Sequence, residues 1–377
     1  IADTFGPIPY VNYGSSSLYD ALDLVYNKFF EELDNAIEVL SNYVNGNVDA
    51  KLMSDYDCVY GGDVEKWVKF ANTLRLRLAI RVSYANPTLA EAQAKKSMEN
   101  MFGFIESKAE RAELSHNSLE YHHPLHEIAY NFNSGDCRPG ATIVAYLNGL
   151  NDSRISSYFT AADDGEYHGV RIGITTSNMS NYQGNKISNL NINRASTPVV
   201  WMTAAESFFL RAEGALRGWD MGGTAKSFYE QGVRMSFEEN NAAGVDDYLA
   251  DHTSTPGAFA DNVGSDNYTF SSRVTPAWDD NAGFEAQLER IITQKWIANY
   301  PDGPEGWSEY RRTGYPEVIP VVRNSSNGTI DTQLQVRRLP YTRDEKINNA
   351  SGVASGISAL GGQDTGGTKL WWDKKSR

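Results

Sequence analysis

Apolar residues recur along this chain at the spacing of a helix. In SLYDALDLVYNKFFEELDNAIEVLSNYV (17–44), Leu18, Leu22, Val25, Phe29, Leu33, Ile37 and Leu40 follow one another at intervals of three and four, predicting an amphipathic helix. The stretch 63–87 repeats the pattern with Trp67, Phe70, Leu74, Leu78 and Val82; Asp63 is placed to cap its start and Asn86-Pro87 to stop it. A small-residue helix, LAEAQAKKSMENM, follows and is expected to pack back on the one before. TPVVWMTAAESFFLRAEGALRGW (197–219) and TAKSFYEQGVRMSFEEN (224–240) are separated by Asp220-Met221-Gly222-Gly223 and read as a helical hairpin entered at Thr197-Pro198. Ala212, Ala215, Ala225 and Gly232 are small where its helices must approach, and Ala225 with Tyr229 matches the small–aromatic spacing of a tetratricopeptide unit. GFEAQLERIITQKWIANY (283–300) predicts a further helix.

Between these elements lie long irregular stretches, about 103–195, 241–282 and 301–377, rich in Gly, Asn, Ser, Asp and Tyr. Loops this long are usually functional or disordered, and their aromatic content argues for order. The predicted fold is mainly α: tetratricopeptide-like helix pairs form a scaffold (about 17–101, 197–240 and 283–300) that carries long irregular loops and a few short strands.

Composition narrows the function. A net charge of −14 argues against a nucleic-acid surface, which needs a basic face, and disfavours acidic polymers in general. Neutral, hydroxyl-rich ligands remain open, with 21 Tyr, 15 Phe and 8 Trp to supply stacking faces as well as core. No run of 18 apolar residues suggests a membrane-spanning helix. Cys58 and Cys137 sit in no metal or redox spacing, and the sequence leaves open whether they are bonded.

Several clusters invite a chemical reading. SLEYHHPLHE (118–127) offers His122, His123 and His126 beside Glu127, but Pro124 breaks the helical spacing that metal ligation would use, which favours structural histidines. Asp163, Asp164 and Glu166, and Asp279 with Asp280, are carboxylates of the type a glycosidase needs, yet neighbours in a DDG turn usually make the turn. No serine-hydrolase elbow or phosphate-binding loop is present. The stretch 156–184 sets Tyr158, Tyr167, His168, Arg171 and Tyr182 among Gly, Ser, Asn and Asp, the mixture of flat faces and hydrogen-bonding groups that suits a sugar ring; Trp278 in 266–280 extends it more weakly. In EGWSEYRRTGYP, Trp307, Arg311 and Arg312 are expected to form an internal ion-pair and cation–π clamp. At the far end, LWWD follows a Gly-rich approach that lets the backbone lie close to a surface. Trp371 and Trp372 are therefore expected to anchor the terminus rather than to hold a ligand.

Taken in order, FGPIPY (5–10), KWVKFANTLRLRLAIR (66–81), PVVWMTAAESFFLRAEGALRGW (198–219), YEQGVRMSF (229–237), IITQKWIANYPDGPEGWSEYRRTGYP (291–316), RRLPYTRDEKINNA (337–350) and ALGGQDTGGTKLWWD (359–373) resemble the SusD/RagB family of Bacteroidetes. The resemblance covers most of the chain and implies one domain over 1–377, with 103–195 and 241–282 as its loop-rich, ligand-facing region. It implies a surface-exposed outer-membrane lipoprotein that captures oligosaccharide, or alternatively peptide, for a SusC-like TonB-dependent transporter. It implies no catalysis and no cofactor; a glycoside hydrolase on a helical scaffold is the remaining alternative. The family's signal peptide, lipidated cysteine and first helices are not in this sequence, which starts at the family's Phe-Gly-x-x-Pro segment.

Overall fold

Helix starts follow short polar side chains. Asp63 accepts from the Lys66 backbone N–H at 3.1 Å, Asn86 from Leu89 at 3.1 Å, Thr203 from Glu206 at 3.0 Å and Thr224 from Ser227 at 3.1 Å. Each satisfies a donor that the first helical turn leaves free. The computed structural model describes the whole chain apart from residues 48, 50, 116–121, 132–136, 175, 193–194 and 376–377, so residues 118–121 of the His-rich stretch lie outside the described residues.

The longer helices are α1 (Leu22–Gly46), α2 (Val64–Arg81), α3 (Pro87–Glu99), α4 (Ala141–Gly149), α5 (Ala204–Leu216), α6 (Ala225–Glu239), α7 (Phe284–Ala298), α8 (Gly303–Thr313) and α9 (Ala350–Leu360). Two two-stranded antiparallel sheets accompany them: β1 (Ala112–Leu114) pairs with β4 (Val199–Met202), and β2 (Phe159–Thr160) with β3 (Asn189–Leu190). Helix α2 packs against α1, α3 and α5, while α7 packs against α5 and α6. This is the mainly α scaffold of helix pairs that the periodicity predicts.

The details depart from the pattern in physical ways. Leu18 is exposed and residues 17–21 precede α1, because Ser355 and Asn349 bind Tyr19 and Ser17 and draw that segment toward α9. Helix α2 has no single buried stripe. Val68, Leu76, Ala79 and Ile80 are fully buried while Trp67, Phe70, Leu74 and Leu78 are partly so, since neighbours cover it on several sides. Thr197-Pro198 does not open a helix. The β-branched and aromatic run Val199-Val200-Trp201 forms β4 instead, and α5 begins only after Thr203. Within the α5–α6 hairpin, a Cβ on Gly232 would lie 2.8 Å from the Phe209 ring, so only glycine allows that approach.

The main core lies between α4, α5, α6 and α7, with Leu147, Phe209, Tyr229 and Ile291 fully buried. A second cluster joins the two ends of the chain, setting Ala2, Leu22, Tyr26 and Phe30 against Leu370 and Trp372. Between them runs a buried ion network. Arg81 and Lys295 hold the two oxygens of Glu305 at 2.5 and 2.9 Å, and Arg77 binds Glu206. Such an arrangement is tolerable only because every charge has opposite partners. Among the described residues no helix is long and apolar enough to cross a membrane, and both cysteines are free.

Candidate ligand-binding site

The loop between α1 and α2 is held open by one carboxylate. Asp57 accepts from the backbone N–H groups of Val59, Tyr60 and Gly62 at 3.0, 3.1 and 2.8 Å, and from the Trp67 indole at 2.8 Å. Burial raises its pKa, but these four donors outweigh it and hold the carboxyl below the ordinary aspartate range. Gly62 sits at φ +85°, and a Cβ there would stand 2.7 Å from the Leu52 carbonyl oxygen. The loop therefore keeps one shape, with Tyr56 and Met53 on its outside at 81% and 68% exposure.

That shape makes one wall of an open recess of about 450 Å³, lined by Leu40, Leu52, Met53, Tyr56, Trp67 and Trp201 among others. Trp201 enters from β4 and is 40% exposed. Exposed aromatic rings over a mostly apolar floor suit a flat ligand with one apolar face. Sequence reasoning missed this recess because Tyr56 and Trp201 are 145 positions apart, in stretches assigned to the helical scaffold. A signal was available: an aromatic in the Gly- and Asp-rich loop that separates two helices.

The sequence-predicted ligand residues lie elsewhere and do not form one surface. Tyr158 is buried and donates to the Ile297 carbonyl at 2.9 Å. Tyr182 is 5% exposed and donates to Asp261 at 2.6 Å, so its ring offers no open face to a ligand. Trp278 is buried, 5.3 Å from the Tyr229 ring. Arg171 is half-buried and donates to the carbonyls of Pro320, Asp266 and Asn267 at 3.0, 3.0 and 3.1 Å, tying three loops together. Tyr167 is half-buried against the main core, and His168 meets Asp164 at 2.8 Å on the rim of an exposed turn. The loops in question are packed by their own aromatics, which is why the rings point inward. Among the described residues no group of three His, Cys, Asp or Glu side chains is arranged to hold a metal ion.

The residues assigned to structure are found in the interior. The Arg311 guanidinium stacks 3.6 Å from the Trp307 ring centre and 4.8 Å from that of Trp372. Arg312 forks onto Glu213, with both distances 2.7 Å. Trp372 is fully buried and donates to Asp3 at 2.8 Å; Trp371 is half-buried, 5.9 Å from Tyr26.

Comparison with known proteins fixes the relationship. Residues 1–373 match the family model described as SusD-like: Susd and RagB outer membrane lipoprotein. The chain belongs to the SusD-like family. A chitin-binding SusD homolog from Flavobacterium johnsoniae is 42% identical with a TM-score of 0.94, the match covering 100% of this chain and 78% of that one. A SusD homolog from Bacteroides uniformis is 43% identical, with a TM-score of 0.93 over 99% of this chain and 78% of that one. A SusD-like protein from Bacteroides thetaiotaomicron is 40% identical, with a TM-score of 0.91 over 100% and 78%. No curated protein matches the sequence.

Proposed function

We propose that this SusD-like protein binds an oligosaccharide at the cell surface, without turning it over, and passes it to a TonB-dependent outer-membrane transporter. The observation that carries this reading is the recess that exposes Tyr56 and Trp201 over an apolar floor. A pyranose has a C–H face that stacks on such rings and a rim of hydroxyls left for polar neighbours. The chitin-binding relative supports a glycan rather than a peptide, and the family's description as an outer membrane lipoprotein supports the location. Non-catalytic binding is the reading for the carboxylates too: Asp164 is exposed in its turn and engaged by His168, whose hydrogen bond lowers its pKa, the reverse of what a general acid requires.

A glycan array run beside a peptide panel tests this, with an assay for released reducing sugar on every hit. Oligosaccharide binding that Tyr56→Ala weakens, with no sugar released, is the expected result. Release of reducing sugar, or selective capture of peptides, overturns it.

A further inference from the structure

Trp201 also lines a second, smaller pocket. This pocket, of about 60 Å³, is bordered by Arg111, Glu239, Asn299, Tyr300 and Asp302 among others. Its volume admits one small substituent rather than a ring.

Polar groups here lie buried without partners. Asn299 is 6% exposed, and among the described residues its Oδ1 has no hydrogen-bond partner; the buried Tyr300 hydroxyl likewise has none among them. A buried polar atom left unmade costs about 1–3 kcal/mol, which a suitable ligand group would recover. Burial pushes the Glu239 carboxyl up to about 7 and Asp302 up to about 6. Among the described residues, Glu239 accepts from the α5 backbone N–H groups of Ala204 and Ala205, at 2.9 and 3.4 Å. The cation on the rim is already engaged, since Arg111 donates to Glu113 at 2.6 Å. Glu206, which also lines the pocket, is paired with Arg77 and Lys295.

We propose that this pocket receives the hydroxymethyl arm of the sugar stacked on Trp201, and so selects neutral hexose chains over uronic acid chains. The inference rests on the glycan reading given above and deepens it. Of the groups on a stacked pyranose, the hydroxymethyl is the one that projects on a rotatable bond beyond the ring. Its hydroxyl donates to Asn299 Oδ1 or Glu239. A carboxylate at the same carbon brings a charge into a pocket already bordered by the carboxyl groups of Glu206, Glu239 and Asp302.

The test uses chitohexaose, cellohexaose, mannohexaose and maltohexaose, each with its C6-carboxylated form, titrated calorimetrically against the whole chain. For the neutral probe that binds, carboxylation is expected to weaken binding tenfold or more. Asn299→Ala is expected to weaken the neutral probe about fivefold and to shrink the discrimination, whereas Tyr56→Ala weakens both forms alike. Should Asn299→Ala not fold, Asn299→Ser and the wild-type probe pairs carry the comparison. Equal binding of neutral and carboxylated forms overturns this inference and leaves the glycan reading standing if Tyr56→Ala still weakens both. Binding of no probe overturns that reading, and this inference with it.

Discussion

Arg312 holds Glu213 by a two-pronged contact in which each guanidinium nitrogen stands 2.7 Å from its own carboxylate oxygen, with both side chains at most 2% exposed. Glu309 meets the same guanidinium, and Arg217 meets Glu213 at 2.7 Å, so a chain of alternating charges joins α8 to α5. Removing one member leaves the others buried and unbalanced. Arg312→Met is expected to destabilise the fold by about 3–5 kcal/mol, measured by urea unfolding. Burial opposes the Glu213 charge, but Arg312 and Arg217 outweigh it and hold the carboxyl well below its ordinary value. A depressed carboxylate contributes stability above its unfolded pKa and loses it as pH falls. Melting temperature should therefore drop below about pH 4.5, with Glu213→Gln showing a shallower drop.

Glu239 works in the opposite sense. Its pKa rises to about 7 from 4.5 because burial penalises the charge. The stability tied to the neutral form is fully present below pH 4.5 and is lost as pH rises through 7. Glu239→Gln keeps an acceptor for the α5 amides and removes the titration. At pH 8 the variant should exceed the wild type by up to about 3 kcal/mol, the shift converted at about 1.4 kcal/mol per unit. Below pH 5 the two should coincide in chemical denaturation; an advantage that persists there would mean packing, not charge, sets the difference.

Periodicity revealed the helices that bury apolar residues and missed those that bury charge. Helices α1, α5, α6 and α7 carry repeating apolar positions, and the pattern located α6 and α7 closely but began α1 and α5 too early, at 17 and 197 rather than at Leu22 and Ala204. Helix α8, GPEGWSEYRRT, buries Glu305, Glu309 and Arg312 through ion pairs with Arg81, Lys295 and Glu213, and Arg311 against the backbone carbonyls of Asp3 and Arg337, all outside the helix, so its buried face reads as polar. Helix α9, ASGVASGISAL, is built from small residues whose burial depends on Tyr19 and Tyr341 lying against Gly356. The same limit applies to the site. Local composition drew attention to Tyr158 and Tyr182, whose rings turn inward, whereas the recess joins Tyr56 to Trp201 through tertiary packing that a linear reading does not contain.

The chain's end holds its beginning in place. Trp372 lies under Arg81 and Arg311, donates to Asp3, and is followed by Asp373, which Arg337 binds at 2.5 and 2.8 Å. Trp372→Ala is expected to cost about 3–5 kcal/mol, as for other large buried aromatics. Truncation after Gly367 should lower the melting temperature at least as much. Trp371→Ala, at a half-buried ring, should cost less. The reverse order in calorimetric melts would show that the outer ring is the anchor.

Binding and stability should separate cleanly between two tyrosines. Tyr56 is 81% exposed and makes the outer edge of the recess, so Tyr56→Ala removes a stacking face while disturbing little packing. Tyr182 is 5% exposed, and its hydroxyl donates at 2.6 Å to Asp261, whose carboxylate also accepts from the backbone N–H groups of Val263, Gly264 and Asp266. Tyr182→Phe removes one donor from that carboxylate and is expected to cost about 1.5–3 kcal/mol, the usual worth of a hydrogen bond to a charged group. Each sugar stacked on an aromatic ring should lose about tenfold in affinity when the ring is removed, taking about 1–1.5 kcal/mol for an aromatic contact beyond its area. Tyr56→Ala is therefore expected to weaken glycan binding about tenfold at an unchanged melting temperature, and Tyr182→Phe to lower the melting temperature at unchanged affinity. If instead Tyr182→Phe weakens binding in a protein of native stability, the ligand lies on the 156–184 loop and the Tyr56 recess is not its site.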